Sequence, residues 1–127
     1  MKRLTLIIAA LSFLVTAIWA KGSATASFSE YSHDFGTIGA KDGKVTAVYT
    51  VENTGDEELV ILSVTNGGCG CTTPSYTKKP IAPGAKGEVK LTFDPSRFSG
   101  EFNRSVTVTT NGKPRKTKLK FSGYIKP

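Results

Sequence analysis

Residues 44–53, "KVTAVYTVEN", decide the fold. Val45, Ala47, Tyr49 and Val51 fall on one side of an extended chain, and Thr46, Thr50 and Glu52 fall on the other. Apolar and polar residues alternating with period two, rich in β-branched and aromatic types, specify a strand with one buried face. Val48 alone breaks the alternation. The next residues, "NTGDEE" (53–58), have the chemistry of a turn. "LVILSV" (59–64) is continuously apolar, which suits a central strand.

Working outward, the same period recurs. "EVKLTF" (88–93) turns Val89, Leu91 and Phe93 inward. "SVTVTT" (105–110) turns in Val106 and Val108. "KTKLKFSGYI" (116–125) turns in Leu119 and Phe121 and leaves Lys116, Lys118 and Lys120 outside. Tyr49, Val51, Leu59 and Ile61 complete the expected core. Pro83-Gly84 marks a tight turn, with glycine supplying positive φ. Asn111-Gly112 marks a hairpin, and "DPSRFSGEF" (94–102) interrupts the pattern. No segment after the N-terminal apolar run has helical period. Strands and turns at this spacing specify an all-β antiparallel β-sandwich of about seven to nine strands.

The chain opens "MKRLTLIIAALSFLVTAIWAKGSATA". Lys2 and Arg3 precede an apolar run from Leu4 to Trp19, and small residues follow. This is the layout of a signal peptide over residues 1–20, with a cleavage site after Ala20, Ala24 or Ala26. The run is short for a membrane anchor, which takes about 20 apolar residues. Cleavage leaves no membrane anchor and a single domain over residues 27–127, exported to the periplasm or secreted. The formal net charge of +7 falls to +5 without Lys2 and Arg3. An exported basic protein meets anionic envelope polymers and lipids, not nucleic acid.

Several motifs occur in a set order: "HDFGTI", "NTGDEELVILSV", "CGCTTP", "PIAPGAKGEVKLTFDPS" and "SVTVTTN". On these, residues 28–124 resemble the bacterial domain-of-unknown-function family 1573. That family is related to immunoglobulin-like modules of cilia, centrosome and sperm proteins. The resemblance implies an immunoglobulin-like sandwich in the cell envelope, with Cys69, Gly70, Cys71 and Thr72 carrying a family hallmark. It implies no activity, and function must be argued from a site.

The chemistry offered is sparse. Cys69 and Cys71, in "GGCGCTTP" (67–74), are the only cysteines. In an extended strand they share a face and could hold a soft metal, copper(I) or zinc. Two thiolates do not fill a four-ligand zinc site, so a metal needs His33, the sole histidine, or a carboxylate, or a second copy of the chain. A disulfide across Gly70 is the second reading, giving a redox pair without the helix of C-x-x-C enzymes. The third reading is structural: small residues where a strand leaves its sheet. His33 has its own plain reading, a strand-edge histidine hydrogen-bonded to backbone or to Asp34. Asp56, Glu57 and Glu58 sit consecutively in a turn and make no catalytic pair. One histidine supports no catalytic triad, so the expectation is no enzyme, no catalytic residue and no cofactor.

Lys113, Arg115, Lys116, Lys118 and Lys120 come with no acid among them. They form a candidate surface for an anionic ligand. They also suit an edge strand protected from pairing with other chains. The expected partner is an envelope protein or an anionic polymer.

Overall fold

The computed structural model describes residues 22–66 and 70–127. The expected signal peptide over residues 1–20 and Cys69 lie outside the described residues.

The strands are β1 (Ala26–Phe28), β2 (Ser32–Gly39), β3 (Val45–Asn53), β4 (Ile61–Thr65), β5 (Thr72–Tyr76), β6 (Lys86–Phe93), β7 (Gly100–Thr110) and β8 (Lys116–Lys126). One sheet has the order β1-β3-β6-β5 and the other the order β2-β8-β7-β4. Packed face to face, they make the sandwich that the alternation specifies, of the immunoglobulin-like kind that the family resemblance implies. One pair departs from the antiparallel expectation: β2 runs parallel to β8. The cause is local. After β1 the chain crosses to the other sheet without reversing, so β2 continues in the same direction against a different neighbour.

The inner faces follow the period. On β3, Ala47, Tyr49 and Val51 are buried while Thr46 and Val48 are exposed. All the residues expected inside are buried, joined by Phe28, Val64, Ile81, Phe102 and Ile125. Phe93 stacks on Phe102 with ring centroids 4.8 Å apart, and Phe121 lies 5.5 Å from Phe93. The Tyr49 hydroxyl donates to the Lys120 carbonyl at 2.6 Å, tying one sheet to the other. Burial, with the Glu30 carboxylate nearby, pushes the Tyr49 hydroxyl up to about 12.

Asn53 ends β3 fully buried. Its amide donates to the carbonyls of Glu57 (2.7 Å) and Ile81 (2.9 Å). Its side-chain oxygen accepts the N–H of Gly55 (3.0 Å) and of Thr25 (3.3 Å). The side chain thus satisfies polar groups of the 54–58 turn, which burial would otherwise leave costly.

Two expectations are corrected. "LVILSV" is not central, because β4 pairs only with β7 and forms an edge. Its run of apolar residues reflects a register shift between Ile61 and Ser63, which lets Ile61 and Val64 both face inward and leaves Leu62 48% exposed. The lysine-bearing strand is not an edge, because β8 lies between β2 and β7. The hairpin expected at Asn111-Gly112 is present, joining β7 to β8 through residues 111–115, although Gly112 has no positive φ. Gly112 instead sits close to Ala24, whose carbonyl oxygen would lie 2.6 Å from an added Cβ. Gly84 does take φ 82°, as the Pro83-Gly84 turn requires.

Candidate functional site: a cationic sheet face

Thr117, Leu119 and Phe121 point into the core, so period two turns Lys116, Lys118 and Lys120 outward, all exposed. The register places Thr109, Thr107 and Ser105 of β7 beside them in that order. Ser32 of β2 lies opposite Lys120. A row of ammonium groups therefore runs along a row of hydroxyl groups on a flat face. Among the described residues the ion pairs are His33–Glu30 and Lys90–Glu88, so none of these lysines is neutralised. Toward the other end of β8 the face changes character. Asp34, Glu101 and Tyr124 line an open groove of about 650 Å³.

Lys113 and Arg115, expected with this row, lie in the β7–β8 connection and not on the strand. Both are exposed. The Lys113 backbone is engaged with the N-terminal segment: its N–H donates to Ala24 (3.0 Å), and its carbonyl accepts from Ala26 (2.9 Å).

The other candidates lie at opposite edges of the sandwich. Cys71 precedes β5 and is disulfide-bonded. The one other cysteine in the chain is Cys69. His33 is on β2, at the far edge. The fold does not bring His33 to Cys71, and no group of three metal-binding side chains occurs among the described residues. His33 Nδ1 lies 3.3 Å from the Glu30 carboxylate, and its ring meets Phe35 edge-on at 4.7 Å. Asp34, the expected partner, instead accepts the Gly36 N–H at 2.8 Å.

Residues that the sequence reading passed over surround Cys71. Gly70, Cys71, Asp94, Arg97 and Phe98 line a cleft of about 390 Å³. The Asp94 N–H donates to the Cys71 carbonyl at 2.9 Å. Hydrogen bonds from the Ser96 backbone and hydroxyl, then the charges of Lys44 and Arg97, hold the Asp94 carboxyl below its usual range. Arg104 lies over Phe98, 5.1 Å from the ring centre, and its buried Nε has no hydrogen-bond partner. The "DPSRF" interruption was the available signal, since an Arg-Phe pair in a strand-to-strand loop has no pattern reason to be there.

The sequence profile of a family described as protein of unknown function (DUF1573) matches residues 26–125. A comparison with curated proteins gives no match. Among solved structures, the chain is similar to a protein of unknown function from Porphyromonas gingivalis W83, with TM-score 0.71 and 17% identity over 85% of this chain. The match spans 50% of that protein's length. It is also similar to the ASH/PapD-like domain 7 of human CEP192, with TM-score 0.58 and 16% identity over 91% of this chain and 94% of that one. The YadV chaperone gives TM-score 0.57 and 14% identity over 80% of this chain and 52% of that one. At these identities the likeness is one of fold.

Proposed function

This chain belongs to the DUF1573 family of proteins of unknown function, and on that premise we propose that it is an exported envelope module that binds an anionic polymer. It acts by binding or scaffolding, with no catalysis of its own. The observation that carries the reading is the unneutralised row of Lys116, Lys118 and Lys120 beside Thr109, Thr107 and Ser105. Lysines supply charge that steers and holds a polyanion, and hydroxyls supply hydrogen bonds to its oxygens. Export rests on the N-terminal sequence. Cleavage after Ala26 cuts β1, and cleavage after Ala24 removes the buried Ala24 with the carbonyl that accepts the Lys113 N–H, so Ala20 is the site that suits the fold.

The test is retention of the exported chain on dextran sulfate against neutral dextran. The parent is held by the sulfated matrix alone, and a Lys116→Gln, Lys118→Gln, Lys120→Gln variant that melts like the parent is not held. Equal retention of both chains sinks the proposal.

The bonded state of Cys71 supports a second reading, a redox pair with Cys69. It favours redox work over a copper(I) or zinc clamp, because a bonded sulfur offers no thiolate to a metal. Thiol titration of the exported chain in graded thiol buffers tests it. A pair that stays bonded throughout the range of cellular thiol buffers removes this reading.

A further inference from the structure

Among the described residues, one corner of the sandwich has no strand beside part of β3. β1 pairs with β3 only at Val51, Glu52 and Asn53. Ser29 adds one step, donating its N–H to the Thr50 carbonyl (2.8 Å) and accepting the Thr50 N–H on its hydroxyl (3.1 Å). The chain then leaves this sheet, and Tyr31 accepts the Lys120 N–H in the other one (2.9 Å). From Tyr49 back to Val45, β3 has no neighbour on that side among the described residues.

The parity of its backbone can be read directly. The Asn53 N–H donates toward β6, to Ala85, and the Thr54 N–H donates toward β1, to Thr25. Odd-numbered β3 residues therefore bond to β6, and even-numbered ones face the other way. The N–H and C=O groups of Thr46 and Val48 point into the vacant position. Val48, the residue that breaks the sequence pattern, is 43% exposed there.

The floor of the vacancy is apolar. In the opposite sheet β2 flanks β8 at this level, and its inward residues Phe35 and Ile38 are only half-buried. Their β8 neighbours Phe121 and Ile125 are fully covered. The difference is the cover that a strand beside β3 would provide.

Edges left open are ordinarily guarded by proline, bulges or brevity. β5 carries Pro74, β2 and β4 carry register shifts, and β1 has three residues. β3 keeps an unbroken register with β6 from Val45 to Glu52 and has no such guard.

We propose that this notch takes up one extended segment of another polypeptide, antiparallel to Val45–Tyr49, with alternate apolar side chains over Phe35 and Ile38 and an acidic C-terminal end. Charge sets the direction. An antiparallel segment begins beside Ser29 and Glu30 and ends beside Lys44, so a carboxylate at its end meets a cation. A second copy of this domain does not fit. Pairing β3 with β3 would set the second copy's β8 where β2 of the first already lies. The recognition is strand addition, with backbone bonds giving affinity and alternate side chains giving selectivity.

The probe is a short synthetic peptide of alternating valine and threonine ending in two aspartates. The control is the same peptide with a central proline, equal in charge but unable to complete the ladder. Amide exchange of the exported chain is followed by NMR. The expected result is about tenfold slower exchange at Thr46 and Val48 with the first peptide and no change with the second. Val48→Pro removes the N–H that faces the notch and spares the β6 ladder, and it abolishes the protection. Should Val48→Pro fail to fold, Lys44→Glu serves, and it shifts preference to a peptide of the same length that ends in two lysines instead of two aspartates. Unchanged Thr46 and Val48 amides overturn the proposal. So does protection mapping to β5, or protection that rises with protein concentration without peptide.

Discussion

The outer faces of β6 and β8 are built alike and charged differently. Both strands are central in their sheets and alternate inward apolar residues with outward polar ones. Outward from β6 come Lys86, Glu88 and Lys90, and Lys90 Nζ lies 3.7 Å from Glu88 Oε1. Outward from β8 come Lys116, Lys118 and Lys120, with hydroxyl neighbours and, among the described residues, no carboxylate bonded to them. The inward residues build the fold and are interchangeable in kind. The outward residues leave the fold indifferent, so their sign pattern is free to carry function. One glutamate in the middle of a row turns a cationic face into a solvated, self-compensating one.

The largest effects are expected on the inner faces, where the strands should respond alike. Leu91→Ala on β6 should cost about 2–5 kcal/mol, and Phe121→Ala on β8 about 3–5 kcal/mol, because each leaves a cavity in a packed core. Urea denaturation measures both. If either variant is as stable as its parent, the facing assigned to that strand is wrong and the comparison collapses.

A smaller effect is expected at the rim near Cys71, where neither face is involved. Replacing Cys69 and Cys71 together with serine should keep the fold and lose on the order of 1–2 kcal/mol through poorer packing. If Cys71 is bonded to Cys69, the bond spans one residue and closes too small a loop to restrict the unfolded chain much. A loss above that range in thermal denaturation would mean that the bond organises the β4–β5 connection.

Tyr49 joins the two sheets and so tests whether the faces are mechanically tied. Tyr49→Phe should cost about 1 kcal/mol, the net worth of one hydrogen bond. Its hydroxyl is pushed up to about 12, above the ordinary 10.0. The folded form therefore holds its proton where the unfolded chain has lost it. That stabilisation is complete below pH 10 and disappears as pH rises through about 12. Denaturation midpoints measured across this window should fall for the parent and fall less for Tyr49→Phe. Parallel curves would mean that burial of the hydroxyl is not the cause.

The smallest change in stability is expected on the outer faces, and it separates them most cleanly. Lys118→Glu and Lys90→Glu should each change stability within about 0.5 kcal/mol. Only the first should weaken retention on a polyanion. Conversely, Glu88→Lys makes β6 a lysine row of its own and should strengthen retention.

The fold was legible because alternation in β3, β6, β7 and β8 reports directly which side chains are buried. It failed at β4, where a shifted register between Ile61 and Ser63 mimics a continuously buried run. It also failed for the place of β8, because a strand's neighbours are set by how the chain crosses between sheets, which period two does not encode. The lysine row was visible in sequence, but its setting was not: Thr109, Thr107 and Ser105 become its neighbours only through register. Asp94, Arg97 and Phe98 were hidden for a related reason, since loop residues have no period and are assembled by the ends of the strands they join. Val48 was legible as an irregularity and became meaningful only when its neighbouring position proved vacant.

The most direct test of the account is the salt dependence of binding to dextran sulfate. The parent chain is compared with a Lys116→Gln, Lys118→Gln, Lys120→Gln variant and a Lys86→Gln, Lys90→Gln variant. Each lysine that neutralises a polyanion charge releases a counterion, so the slope of log affinity against log salt counts such contacts. The account predicts that the β8 variant loses on the order of two to three units of slope and that the β6 variant keeps the parent slope. Equal losses from both faces, or none from β8, would contradict it.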